Sequence, residues 1–182
     1  MKTESTVKYV LRLALILLAI TSVVAAALAF VNSITAPIIE QLNAEKTQKA
    51  IEAVLPGGGE SVPFTDASGL VSVVYKGEAG YAVQVAPAGF DGPITMMVGV
   101  DFDGNVLGIS IIKHTETAGL GAVAAATTSA GENFRGNFVG LSGSVAVTKD
   151  GGEVEAITGA TITSRAVCAG VNAALDCVAG MG

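Results

Sequence analysis

The sequence predicts an α+β domain carried behind one membrane-spanning helix. Three observations lead there. A strongly apolar run lies near the N-terminus, two pairs of strand-like segments are joined by turn residues, and segments read as helical interrupt and follow those pairs.

The apolar run comes first. Lys2, Lys8 and Arg12 precede an uncharged stretch from Leu13 to Ile39, most apolar between Leu13 and Val31. Nineteen residues at ~1.5 Å each make a helix of about 28 Å, long enough to cross the hydrocarbon core. Ala25-Ala26-Ala27 and Ala27-Leu28-Ala29 resemble signal-peptidase sites. A signal-peptide apolar region runs only ~7–15 residues, so the length favours a retained span. The basic residues all precede the run and the first charge after it is Glu40, which predicts a cytoplasmic N-terminus and an extracytoplasmic remainder.

Pro37 suits the first turn of a second helix reaching about Leu55. Ile38, Leu42, Ile51 and Val54 fall on one face of it, and Glu40, Glu45, Lys46 and Lys49 are solvent-facing. Pro56-Gly57-Gly58-Gly59 ends it. The expected organisation is a cytoplasmic N-terminus over 1–12, a transmembrane helix over 13–34, a connecting helix and linker over 35–58, and the domain over 59–182.

Within the domain, Val71–Tyr75 and Tyr81–Val85 alternate as strands around the turn 76–80. Thr95–Val100 and Val106–Lys113 form a second hairpin, with Asp103-Gly104 as its turn signal. A helix is expected from Thr117 to about Gly131, a further strand over Ser144–Thr148, and a last helix from about Thr163 to Val178. Phe134 and Phe138, four apart, read as a core pair on one helix face.

Several functions are excluded by composition. Beyond the span stand fifteen acids against seven lysines and arginines, which argues against a nucleic-acid partner. Cys168 and Cys177 fall in one helix, about 13 Å apart at ~1.5 Å per residue, beyond the ~7 Å limit for a bridge; they read as buried thiols. With one histidine and no CxxC, no metal site is expected.

Two segments carry chemistry. Lys113 to Gly121 lies between a strand and a helix, and Gly119-Leu120-Gly121-Ala122-Val123-Ala124 superficially fits a dinucleotide fingerprint. No acid stands about 20 residues on, and the flanking hairpins are not a βαβ unit, so that reading is rejected. The second segment, Ile157 to Arg165, sets hydroxyls and a glycine at the start of the last helix. By spacing alone it is a helix start with Thr163 or Ser164 as N-cap; the alternative is a phosphate site.

Thr158-Gly159-Ala160-Thr161-Ile162-Thr163-Ser164 resembles the flavinylation motif of the FMN-binding domain family. His114-x-Glu116-Thr117-x-Gly119-Leu120-Gly121 is similar to that family's other signature, with Ala118 where proline is common. The order of span, connecting helix, two signatures and terminal helix resembles the G subunits of Rnf-type electron-transport complexes. The C subunit of the sodium-translocating NADH:quinone reductase is a relative.

The resemblance implies one FMN joined by its phosphate to the Thr161 hydroxyl by a separate flavin transferase. Glu155, where the family often has aspartate, would serve recognition by that transferase. Glu116, Thr117, Gly119, Leu120 and Gly121 would line the flavin slot, with Thr158, Gly159, Ala160, Thr163 and Ser164 around the attachment point. Arg165 is either a cationic contact or a solvated side chain, and His114 either tunes the ring or is structural. The implied role is a membrane-anchored electron carrier in a complex coupling ferredoxin and NAD to Na+ or H+ movement, with other membrane and peripheral subunits as partners. The chain alone would catalyse no net reaction. Alternatives are a quinone-reductase C subunit, a stand-alone flavinylated carrier, or an anchored ligand-binding domain without redox chemistry.

Overall fold

The computed structural model describes residues 2–181. Met1 and Gly182, the ends of the expected N-terminal segment and domain, lie outside the described residues. The chain forms two compact units, Met1–Ala44 and Glu45–Gly182.

Helix α1, Lys2–Val54, makes up the first unit and enters the second. In the first unit its large apolar side chains, from Tyr9 to Leu42, are exposed. Its most apolar window has a mean hydropathy of 2.7, with none of the window buried. A helix apolar on its whole circumference requires an apolar surrounding. The break expected at Pro37 is absent, because α1 passes through it. Proline removes one backbone bond, to the carbonyl four residues earlier, and apolar helices tolerate that loss.

The second unit is built on a five-stranded antiparallel meander: β1 Glu60–Val62, β2 Val71–Lys76, β3 Gly80–Val85, β4 Thr95–Asp101 and β5 Val106–Lys113. Four strands lie where the two hairpins were expected. Strand β1 was not expected, since three residues, two of them exposed, give no periodic signal. In register, Val83 faces Val98 and Val85 faces Met96; Met96 faces Ile111 and Val98 faces Ile109.

Both faces of β4 are covered, which explains its continuous apolar run. Met96, Val98 and Val100 belong to the main core with Val167, Val171 and Ala174 of helix α3, Thr161–Ala179. Met97 and Ala82, on the opposite face, join Ala50, Ile51, Val54 and Leu55 at the end of α1. Phe134 and Phe138 are buried in the main core as an edge-to-face pair, ring centres 5.4 Å apart.

Two expected elements differ. The helix expected over 117–131 is a 3-10 turn, Gly121–Ala125, then a break, then helix α2, Ser129–Gly136. Thr128 is extended at the break, consistent with its β-branched side chain. Arg135 satisfies two carbonyls there: its Nη1 donates to Ala124 at 2.7 Å and to Ala126 at 2.9 Å.

The strand expected over 144–148 is not in the sheet. Val145 and Val147 are buried as alternation requires, but the partner of Val145 is a side chain. Asn172 on α3 accepts from the Val145 N–H at 2.7 Å and donates to its carbonyl at 2.9 Å. One amide completes the hydrogen bonds that a neighbouring strand would otherwise supply.

Candidate functional site

Helix α3 begins at Thr161, two residues before the expected start, and its N-cap is Ala160. Alanine has no side-chain acceptor and is a poor cap. The first intrahelical bond runs from the Ser164 N–H to the Ala160 carbonyl, 3.0 Å. The N–H groups of Thr161, Ile162 and Thr163 therefore have no partner within the helix. Ser164 is not the cap; buried, its hydroxyl donates to Ala160 O and accepts from the Ile157 N–H, both at 3.0 Å. That pair folds Ile157–Ala160 back over the helix start. Gly159 sits at φ +76° in this turn, a conformation other residues rarely adopt.

A cleft of about 330 Å³ opens at this uncapped end. Glu116, Thr117, Leu120 and Gly121 line it from one loop, and Gly159, Ala160, Thr161 and Thr163 from the other. The two sequence segments, about forty residues apart, thus form two walls of one cleft. Phe90, Ile162 and Lys149 complete the lining. Gly119, Thr158 and Glu155 are placed elsewhere, in an adjoining hollow with Val123 and Phe134. Ser164 lines neither. The walls are apolar yet open: Phe90 is 66%, Ile162 51% and Leu120 43% exposed.

Glu116 holds the walls together. It is 7% exposed, and its Oε1 accepts from the backbone N–H groups of Phe90 at 2.8 Å and Asp91 at 3.1 Å. Its Oε2 accepts a short hydrogen bond from the Thr163 hydroxyl. Its two oxygens thus accept from three donors on two elements. Gly121 makes this possible by close approach: a Cβ there would overlap Glu116 Oε2 and Thr163 Oγ1.

Charge at the site is divided. Lys149 Nζ donates to Thr161 Oγ1 at 3.3 Å. Arg165, one turn into α3, is bound instead by Asp150, with Nε and Nη2 each 2.6 Å from its carboxylate. That pair holds the Asp150 carboxyl below the usual carboxylate range, chiefly through the hydrogen bond from Arg165. The His114 Nδ1 is buried without a hydrogen-bond partner. Cys168 and Cys177 are free and buried, and burial pushes the Cys168 thiol up to about 11. Among the described residues no group of three His, Cys, Asp or Glu side chains is arranged to hold a metal ion.

Phe90 and Lys149 carry no signal in the sequence. Phe90 sits in an aperiodic loop between β3 and β4, and Lys149-Asp150-Gly151-Gly152 reads as a turn.

The arrangement suits a phosphorylated aromatic ligand. Free N–H groups at a helix start and one ammonium answer a phosphate. Exposed Phe90, Leu120 and Ile162 offer apolar contact to a flat ring, and the volume falls at the lower end of the ~300–1,000 Å³ typical of ligand sites.

Residues 89–176 match the family model of the FMN-binding domain. The chain is 37% identical to the G subunit of the Na(+)-translocating ferredoxin:NAD(+) oxidoreductase complex of Acetobacterium woodii, an alignment covering 93% of this chain and 91% of that protein. It is 34% identical to the G subunit of the ion-translocating oxidoreductase complex of Methanosarcina acetivorans, over 94% and 95% of the two chains. It is also 40% identical to the G subunit of the proton-translocating ferredoxin:NAD(+) oxidoreductase complex of Clostridium ljungdahlii, over 53% and 51%.

Proposed function

The chain belongs to the family of G subunits of ion-translocating oxidoreductase complexes, and on that premise we propose that it is a membrane-anchored electron carrier with one FMN esterified through its phosphate to Thr161. The observation that carries this reading is the placement of the Thr161 hydroxyl. It lies in the cleft at the first residue of an uncapped helix, opposite the Glu116–Gly121 loop and beside Lys149.

The division of labour follows from the residues. Thr161 supplies the ester oxygen, and the free N–H groups of α3 face the phosphate charge. Leu120, Ile162 and Phe90 give the ring apolar contact; Thr117 offers a polar one. Gly159, Ala160 and Thr163 shape the attachment turn, which Ser164 closes from behind. Gly119, Thr158 and Glu155 stand in the adjoining hollow, an accessible surface on which a flavin transferase can recognise its target. Attachment forms the bond from Thr161 Oγ to the FMN phosphorus of FAD as the pyrophosphate bond breaks; AMP leaves and the hydroxyl proton passes to the transferase. Bound FMN supplies reversible one-electron transfer, which suits a relay between neighbouring redox centres of a ferredoxin:NAD complex moving Na+ or H+.

Residues 13–34 cross the membrane in this reading and 35–58 connect. The domain over 59–182 lies outside, on the side opposite the basic N-terminus. A tethered cofactor suits that side, because each rebinding of a free one would cost about 4–15 kcal/mol of lost motional freedom. The near-complete coverage of G subunits favours this family over the quinone-reductase C subunit.

Co-expression with a flavin transferase followed by denaturing electrophoresis tests the proposal. Flavin fluorescence is expected on the wild-type band and not on Thr161→Ala. An unmodified wild-type chain would overturn the assignment and favour the non-redox alternative. Labelling of single cysteines placed at Ser5 and Ser61 in intact cells reports the orientation, with only the second reacting with an impermeant reagent.

A further inference from the structure

Lys149 has a geometry that the ester linkage alone leaves unused. It stands on the short 3-10 turn Thr148–Asp150, outside α3, yet its Nζ reaches the Thr161 hydroxyl. Among the residues lining the cleft it is the one cation. Asp150 and Arg165 tie the turn to α3 through two hydrogen bonds of 2.6 Å. The tie distinguishes the two cations: Arg165 is ion-paired with Asp150, whereas Lys149 feels Asp150 only through its charge and has the Thr161 hydroxyl, 3.3 Å away, as its hydrogen-bond partner.

A neutral hydroxyl is a weak reward for ordering a long ammonium side chain. A phosphate is the stronger partner for a compact charge of this kind. Resting on the reading that FMN is carried on Thr161, we propose that Lys149 is the positioning residue for the esterified phosphate. Once Thr161 Oγ is an ester oxygen, the non-bridging phosphate oxygens lie two bonds from it, within the side chain's reach. The ammonium and the free N–H groups of Thr161, Ile162 and Thr163 would then both answer the remaining negative charge. Asp150 and Arg165 set the position of Lys149 without touching the phosphate.

The experiment uses the full chain in detergent, made with and without a flavin transferase, as wild type, Lys149→Met and Lys149→Arg. Intact mass gives the fraction carrying FMN, and thermal unfolding gives the gain in midpoint of the loaded over the unloaded chain. The unloaded variants are expected to melt with the unloaded wild type. Lys149→Met should either load several-fold less completely or, where loaded, lose most of the FMN-dependent gain; Lys149→Arg should restore both. Lys149→Met that loads as fully as wild type and keeps the whole gain overturns the role of Lys149 while leaving Thr161 as the carrier. A wild type that gains no FMN mass at Thr161 overturns the reading beneath it, and the role of Lys149 with it.

Discussion

Glu116 and Thr163 are hydrogen-bonded inside the protein although 47 residues separate them in sequence. The contact joins the loop after β5 to the first turn of α3, and the other Glu116 oxygen binds the loop between β3 and β4. Glu116 lines the cleft while both of its oxygens are hydrogen-bonded to the protein. It is chiefly the bolt that sets the width of the cleft.

Removing the bolt should therefore be felt as lost stability. Glu116→Ala strands two backbone N–H groups and one hydroxyl, each worth about 1–3 kcal/mol when left without a partner. With water replacing part of that loss, a net cost of about 2–4 kcal/mol is expected. For a chain of this size each kcal/mol lowers the midpoint by about 2–4 °C. Glu116→Gln keeps acceptor capacity on one oxygen and should lose less. Thermal unfolding without flavin is the measurement, and equal midpoints for Glu116→Ala and wild type would contradict the assignment.

Asn172 should behave as a strand would. Asn172→Leu keeps the side-chain volume but leaves the Val145 N–H and carbonyl without their partners. The expected loss is about 1–3 kcal/mol, at unchanged denaturant dependence, in urea unfolding. A neutral result would mean that water already serves Val145.

The fold was legible where burial writes a period into the sequence. Strand β2 follows alternation, β4 is a continuous apolar run because both its faces are covered, and the core of α3 follows helical spacing. The failures share a different cause. Residues 144–148 alternate as a strand does, yet Val145 is paired by one amide on α3 and residues 146–148 by Val154, six to eight residues on, which no pattern within the segment announces. The chain from Thr117 to Gly131 is rich in alanine, yet Arg135 caps carbonyls at a break that composition does not reveal. At the site, the motif turn around Gly159 and the glycines after Glu116 could be read locally. Phe90 and Lys149 come from aperiodic turns, and only the tertiary fold brings them to Thr161.

The cysteines give a prediction in pH. Burial raises the Cys168 thiol from an ordinary 9.0 to about 11, so the folded chain keeps a proton that the unfolded chain releases between those values. This contribution to stability is complete below pH 9 and is lost as pH rises through about 11. Iodoacetamide at about pH 8 should accordingly leave Cys168 unmodified in the folded chain and alkylate it once urea unfolds the protein. Rapid alkylation of the folded chain would show that the core around α3 opens on that timescale.

Gly121 provides the strictest test of the cleft, because its effect should depend on Glu116. A methyl at Gly121 collides with Glu116 Oε2 and Thr163 Oγ1, and neither atom can swing away while the two are hydrogen-bonded. Gly121→Ala alone should cost about 1–3 kcal/mol, the usual range for overpacking a close contact. In a Glu116→Ala background the Oε2 obstruction is gone and Thr163 is free to change rotamer, although the Cβ of residue 116, 2.9 Å away, stays. The second substitution should then cost less than it does in the wild type. The double variant is expected to be more stable than the sum of the two single losses by about 0.5–3 kcal/mol, the range found for residues in contact. Strict additivity would mean that the Gly121 strain is relieved elsewhere, and that the Glu116–Thr163 bond does not set the distance between the two walls.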